Sequence, residues 1–182
     1  MYEKYDPGHI SGQPPAGLEV RVAAKNDVLE IAEISAERNG TDLKLSVQNI
    51  SKQFKNLKTR DDCKFFVASV NSKVVGFARC SYIDANIKPL KFPSPSGWYG
   101  RGLIVKDKFR GQGVARSLSD YRIQWLKTNT KAEYLYSFAS VENAVSLKMH
   151  KEFGFEEIMT GPGFLDVGFE CGKGVLFRIK IQ

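Results

Sequence analysis

From Gly97 to Lys127 the chain reads GWYGRGLIVKDKFRGQGVARSLSDYRIQWLK, and its middle can continue neither a strand nor a helix. Ahead of that middle, Tyr99, Leu103, Ile104 and Val105 supply the aromatic and aliphatic residues of a buried strand. Beyond it, Val114, Leu118, Tyr121 and Trp125 recur at intervals of four, three and four, which is one face of a helix. Arg110-Gly111-Gln112-Gly113 must therefore be a turn that carries a strand into a helix. A helix that opens on glycines offers backbone N–H groups without intrahelical partners, at the positive end of its dipole. That is an anion site, and a diphosphate is its natural guest.

Two familiar diphosphate binders are excluded. A dinucleotide fingerprint needs glycine at 116 after Gly111 and Gly113, where the chain has Arg116. A nucleotide-hydrolase phosphate loop needs Gly-Lys-Ser/Thr, and the Gly172-Lys173 pair runs into Gly174. What remains is Arg110-x-x-Gly113-x-Ala115 behind a Leu-Ile-Val strand. This resembles the acyl-CoA pyrophosphate loop of the GNAT superfamily of N-acyltransferases, Arg/Gln-x-x-Gly-x-Gly/Ala. Further on, Asn143-Ala-Val-Ser146-Leu-Lys-Met149-His150-Lys-Glu-Phe-Gly154-Phe155 is similar to the family's later motif, Asn-x-x-Ala/Ser-x-x-Leu/Met-Tyr/His-x-x-x-Gly-Phe. Two motifs in order at the family's separation are far more specific than either alone. The resemblance runs from about residue 19 to residue 181, is strongest between 97 and 155, and is weak before 60.

The resemblance implies an N-acetyltransferase that moves an acetyl group directly from acetyl-CoA to a primary amine of an unidentified acceptor, without a metal. A sensor or scaffold of the same fold that binds acyl-CoA without turnover is the alternative. It implies that Arg110, Gly111, Gln112, Gly113, Val114, Ala115 and Arg116 hold the pyrophosphate, and that the backbone of Leu103, Ile104 and Val105 meets the pantetheine arm. Asn143 and Ser146 join the cofactor-binding set, although Asn143 reads equally well as a helix cap. His150 stands where many members carry a tyrosine that protonates the departing thiolate; packing is its other reading. The general base is unknown: Glu37, Asp84, Asp166 and Glu170 are candidates that spacing does not separate. Loop 84–96, the region of Asn39 and the segment around Phe164 are expected at the acceptor end, with Trp98 and Tyr99 either lining an aromatic wall or packing in the core.

A net charge of +7 suits an acidic partner, but Lys and Arg are spread along the chain with no basic run of five. A solvated surface plus an anionic cofactor is favoured over nucleic acid, and a small-molecule acceptor over a protein; a homodimer is left open. No apolar run reaches the length of a membrane span, and MYEKYDPGHI has no signal core. Cys63, Cys80 and Cys171 are odd in number and scattered, which reads as reduced thiols in a cytoplasmic protein. Two distant histidines, His9 and His150, give a metal no ligand set.

The rest of the chain supplies a scaffold. Residues 1–17, with three prolines and three glycines, read as an extended arm; residues 18–182 read as one acetyltransferase domain. Glu19 to Ala23 is a short strand. Asn26 or Asp27 can cap a helix to about Arg38 with Val28, Ile31, Ala32 and Ser35 on one face. Leu43, Val47, Ile50, Phe54 and Leu57 mark a second helix. Strands follow at Lys64–Val70 and Val74–Tyr82 around an Asn71-Ser72-Lys73 turn, and again at Glu133–Ala139, Phe155–Met159 and Val175–Ile181. Glu142–Phe153 is a helix, and Thr160–Gly174 is a loop. The expected fold is α/β: a single GNAT-like domain with a central mixed, mostly antiparallel sheet, splayed between its fourth and fifth core strands and flanked by helices.

Overall fold

A computed structural model describes residues 12–56, 62–87 and 89–182. Its strands are β1 (Glu19–Val22), β2 (Cys63–Val70), β3 (Lys73–Ile83), β4 (Gly97–Val105), β5 (Tyr134–Ser140), β6 (Glu156–Gly161), β7 (Gly163–Phe164), β8 (Val167–Gly168) and β9 (Gly174–Lys180). Its α-helices are α1 (Val28–Asn39), α2 (Leu43–Asn56), α3 (Val114–Asn129) and α4 (Ala144–Glu152). The main sheet has the order β1-β2-β3-β4-β5-β9-β6, with β7 and β8 forming a separate hairpin. β4 runs parallel to β5, paired at Trp98↔Leu135 and Tyr99↔Tyr136. The β1–β2, β2–β3, β5–β9 and β6–β9 pairs are antiparallel. This is the mixed, mostly antiparallel sheet with helices that the sequence led us to expect.

The chain's contacts divide it into two compact units, one made of residues 8–81 and 101–125, the other of 1–7, 82–100 and 126–182. In the first unit, β2 is covered on both faces. Phe65, Val67, Val74 and Phe77 form a cluster with Ile31, Ala32, Ile34 and Ile50 of the first two helices. The rings of Phe54 and Phe65 lie 4.9 Å apart. On the opposite face Phe66 meets Tyr121 and Trp125 of α3 edge-on, at 5.9 and 5.7 Å. The hairpin turn has Asn71 and Ser72 at φ 49° and 62°, the left-handed pair that a two-residue hairpin turn requires, and Lys73 already belongs to β3.

Several local expectations are corrected by packing. Asp27 precedes α1 but does not cap it. Its carboxylate takes both Arg21 guanidinium nitrogens, at 2.7 and 2.8 Å, and the Ala24 N–H at 2.6 Å. Leu43 is exposed, and Asp42 Oδ1 accepts from Leu45 N at the start of α2. Leu57, the last position of that expected stripe, lies outside the described residues. The buried side of α3 is wider than its expected stripe. Ser119 and Arg122 lie buried beside Val114 and Leu118, and Arg122 Nη1 donates to Arg79 O at 3.4 Å.

In the second unit, Tyr99, Phe164, Leu165 and Leu176 make one cluster, and Ala139, Val175 and Phe177 another. Trp98 is 8% exposed and Tyr99 0%, so both are core residues. Burial beside Tyr136 pushes the Tyr99 phenol up from its ordinary value. The segment read as a loop over Thr160–Gly174 holds the β7–β8 hairpin, because Pro162 O and the paired backbone supply hydrogen bonds that a bare loop would lack.

Asp27 carries the first prediction. The Arg21 guanidinium beside it holds its carboxyl below the usual carboxylate range, against the opposing effect of burial. A depressed folded-state value adds stability above the unfolded carboxylate pKa near 4, and that stability is lost as pH falls below it. Arg21 is half exposed, with 46% of its side-chain area accessible, so screening limits the pair. Asp27→Asn should destabilise by about 1–2 kcal/mol at pH 7. In denaturant titrations the gap to wild type should close below about pH 4.

Candidate functional site

The glycine-rich turn begins where β4 stops. Lys106 N donates to Val75 O at 2.9 Å, the last sheet bond before the chain turns away. A single 3-10 turn, Asp107–Phe109, follows, closed by Phe109 N to Lys106 O and Arg110 N to Asp107 O. Arg110 is braced within this turn: Nη2 lies 2.6 Å from Asp107 Oδ1, and Nε donates to Val105 O at 3.2 Å. Gln112 Nε2 donates to Lys108 O at 2.7 Å. The two glycines then take φ 70° at Gly111 and 72° at Gly113, a backbone that L side chains adopt only with strain.

Helix α3 opens directly on this turn. Its first ladder bond runs from Ser117 N to Gly113 O at 2.9 Å, so the N–H groups of Val114 and Ala115 sit ahead of the ladder. Val114 is buried and anchors the first turn, Ala115 is half-buried, and Arg116 is exposed. Leu103 and Ile104 are half-buried and Val105 is buried. The stretch from Leu103 to Arg116 therefore forms one continuous strand–turn–helix junction, with Arg110 serving the turn's own structure.

Gly102 is a feature that the sequence reading passed over. Its φ of 60° interrupts β4 just before Leu103. A left-handed residue inside a strand marks a bulge, which bends the strand and re-aims the peptides beside it. The Gly100-Arg101-Gly102 run inside the strand was the available signal.

The second motif lies in the other unit. Asn143 is the N-cap of α4, with Oδ1 accepting from Ser146 N at 3.1 Å. Its capping role is thus real. Ser146 is half-buried and bonded along its own helix: its Oγ lies 3.3 Å from His150 Nδ1, and its carbonyl lies 2.6 Å from the same nitrogen. His150 is 4% exposed. Its ring stacks on Phe177 at 4.5 Å and 8°, and stands edge-on to Phe155 at 5.0 Å. An imidazole that donates from Nδ1 to the Ser146 carbonyl has no proton on Nε2 while it is neutral. This geometry gives His150 a packing role; the acid role rests on the resemblance alone.

Of the candidate bases, Glu37, Asp166 and Glu170 are exposed, and Asp84 Oδ1 accepts from Asn86 N at 2.9 Å. The segments expected at the acceptor end are joined where they share a unit. Phe92 N donates to Leu165 O at 2.9 Å, and Leu165 N donates to Ser94 Oγ at 2.8 Å, so loop 84–96 is strapped to the β7–β8 hairpin.

Known proteins resemble this chain in sequence and fold. The sequence profile of the acetyltransferase (GNAT) family matches residues 28–155. An uncharacterized N-acetyltransferase of Methanocaldococcus jannaschii is 32% identical over 114 residues, 62% of this chain and 47% of that protein. The aminoglycoside N(6')-acetyltransferase type 1 of Salmonella typhimurium is 31% identical over 102 residues, 53% of this chain and 65% of that one. The chain thus spans from about half to just under two thirds of these relatives' lengths. The crystal structure of spermidine N-acetyltransferase from Vibrio cholerae, in complex with CoA and spermine, superimposes with a TM-score of 0.69 at 17% identity, covering 91% of this chain and 96% of that one. The profile covers more than half of the chain: the chain belongs to the acetyltransferase (GNAT) family.

Two variants separate structure from binding here. Asn143→Ala should cost about 1 kcal/mol, the usual loss for an N-cap, and lower Tm by about 2–4 °C. Asn143→Ser keeps a capping oxygen and should recover most of that loss, which thermal denaturation of both variants will measure. For His150, replacement by Phe preserves the stack on Phe177. An unchanged kcat and pH profile is expected of a packing residue, and a fall of about a hundredfold of a general acid.

Proposed function

We propose that the protein is an N-acetyltransferase that moves the acetyl group of acetyl-CoA directly to a primary amine. The observation that carries this reading is the pair of left-handed glycines, Gly111 and Gly113, on which α3 opens at the end of β4. A turn of this kind leaves room for a diphosphate to approach backbone N–H groups, and the helix dipole favours its charge. The residues present suit acetyl-CoA as a substrate. Gly111, Gln112, Gly113, Val114 and Ala115 would hold the diphosphate through the backbone, with Arg116 adding charge. The backbone of Leu103, Ile104 and Val105 would meet the pantetheine, and Asn143 and Ser146 would contribute from the second motif. In the transfer, the amine nitrogen attacks the thioester carbonyl, the C–N bond forms and the C–S bond breaks. The ammonium proton passes to a base, and the thiolate leaves to be protonated.

Further support comes from the relatives. One is named for acetylation of an aminoglycoside, and a solved neighbour of the same fold holds CoA together with a polyamine. Both acceptors are small amines, so we read the acceptor as a small molecule. The strapped segment 84–96 and the hairpin at Phe164 are the elements we assign to its recognition. We further read the protein as cytoplasmic, since Cys63, Cys80 and Cys171 are all free thiols.

A thiol-release assay with acetyl-CoA across a panel of amines tests the activity directly. Turnover with one amine class is expected; CoA binding without turnover on any of them would favour a sensor of the same fold. A side chain at Gly113 meets Gly12 O and Pro14 and strains a left-handed backbone, so Gly113→Glu should distort the turn and abolish CoA binding in calorimetry while the protein stays folded by circular dichroism. Equal affinity in the mutant would remove the diphosphate from this turn.

A further inference from the structure

The N-terminal segment touches the glycine-rich turn. Gly12 N donates to Gly111 O at 2.5 Å. The contact is backbone on backbone. A side chain at Gly12 would begin 3.0 Å from Gly111 O and 3.5 Å from Gln112 Cα. One at Gly113 would begin 2.9 Å from Gly12 O and 3.4 Å from the ring of Pro14. Two glycines thus face each other across a gap too narrow for a Cβ at Gly113 and tight for one at Gly12. Neither motif of the sequence reading includes residues 12–14.

The peptide plane fixes which side of the turn the segment occupies. No described peptide is cis, so the Gly111 carbonyl and the Gln112 N–H point in opposite directions. Gly12 takes the carbonyl side, and the Gln112 N–H faces away from the segment. Gly12 therefore lies on the side of that peptide opposite its donor.

We propose that Gly12, Gln13 and Pro14 are a positioning element for the cofactor: they hold the Gly111–Gly113 turn in its left-handed form so that its N–H groups are preset for the diphosphate. This rests on the reading that the turn binds acetyl-CoA. Glycine loses more conformational freedom on ordering than any other residue, and two glycines in one turn make it costly to hold without a brace. The Gly12–Gly111 bond supplies that brace, and Pro14 stiffens the chain that delivers it. The Gly12 bond is made to the carbonyl of the 111–112 peptide, so the segment acts through the turn's backbone.

The test is calorimetry of CoA binding to the full chain in wild type, Gly12→Ala and Gly12→Pro, with pantetheine, which lacks the diphosphate, as a second ligand. Gly12→Ala introduces the tightly placed Cβ, and Gly12→Pro removes the N–H donor. Each should weaken CoA about tenfold, the loss of one backbone hydrogen bond, and leave pantetheine binding unchanged. Deletion of residues 2–14 should do the same, which guards against a point variant that misfolds. Wild type that fails to bind CoA overturns the acetyltransferase reading itself. Wild type that binds while all three variants match it overturns the brace alone. Tighter binding in the deletion overturns it too, since the segment would then be a competitor. An equal fall for both ligands would reveal general damage and likewise count against it.

Discussion

Burial of β2 and β3 on both faces is the constraint from which the rest of the first unit follows. Five consecutive residues of β2, Phe65 to Ser69, are buried, so its two faces both need a cover. Phe65 and Val67 find the first two helices, and Phe66 finds α3. With α3 laid against this strand by Tyr121 and Trp125, its first turn can only begin near the end of β4. Gly76 has no side chain where Ile104 O and Val105 approach to 3.0 and 3.2 Å, so β4 packs closely on β3 up to that point. The place of the anion-binding turn is thus set by hydrophobic packing, and its conformation by two glycines.

The other unit is organised by stacked rings. Tyr99 lies on Tyr136 at 5.3 Å, and Phe138 meets Tyr99, Phe164 and Phe169 at 6.4, 5.9 and 6.2 Å. This cluster pulls the β7–β8 hairpin onto the sheet, and the hairpin in turn anchors loop 84–96 through Phe92 and Ser94. A long proline-rich connection is held in this way by a few hydrogen bonds at defined points. His150 belongs to the same logic on the opposite face of β5 and β9, where Phe177 and Phe155 enclose it. Motif register identified the position, and the fold shows which rings surround the imidazole.

Two polar side chains at the starts of helices find local partners. Asp27 exchanges a helix cap for a bidentate arginine, and Asn143 keeps the cap. Burial pushes the Cys80 thiol up to about 12, so that thiol stays protonated as a core residue. Arg122 is buried between α3 and β3, and the same desolvation lowers its guanidinium from the ordinary value.

Much of this was legible in the chain itself. Period-two and period-3.6 patterns located the helices and the main strands, because apolar faces repeat wherever one side of an element is buried. Glycines 111 and 113 declared the turn, since no other residue takes that backbone cheaply. The two motifs declared the family. Tertiary structure alone decided the matters that depend on partners distant in sequence. Asp27 could cap or pair, and the nearness of Arg21 chose pairing. Leu43 continued an apolar stripe, but among the described residues it stays exposed. Tyr99 and Trp98 could have lined a wall, and the cluster around Phe164 buried Tyr99. His150 stands in the motif's register, and only the fold shows that its ring lies on Phe177. Gly12 gave no signal at all in an arm of prolines and glycines: its meaning lies in a single backbone hydrogen bond to a residue almost a hundred positions away. A sequence records which side chains seek burial, but only the folded chain records which backbones meet.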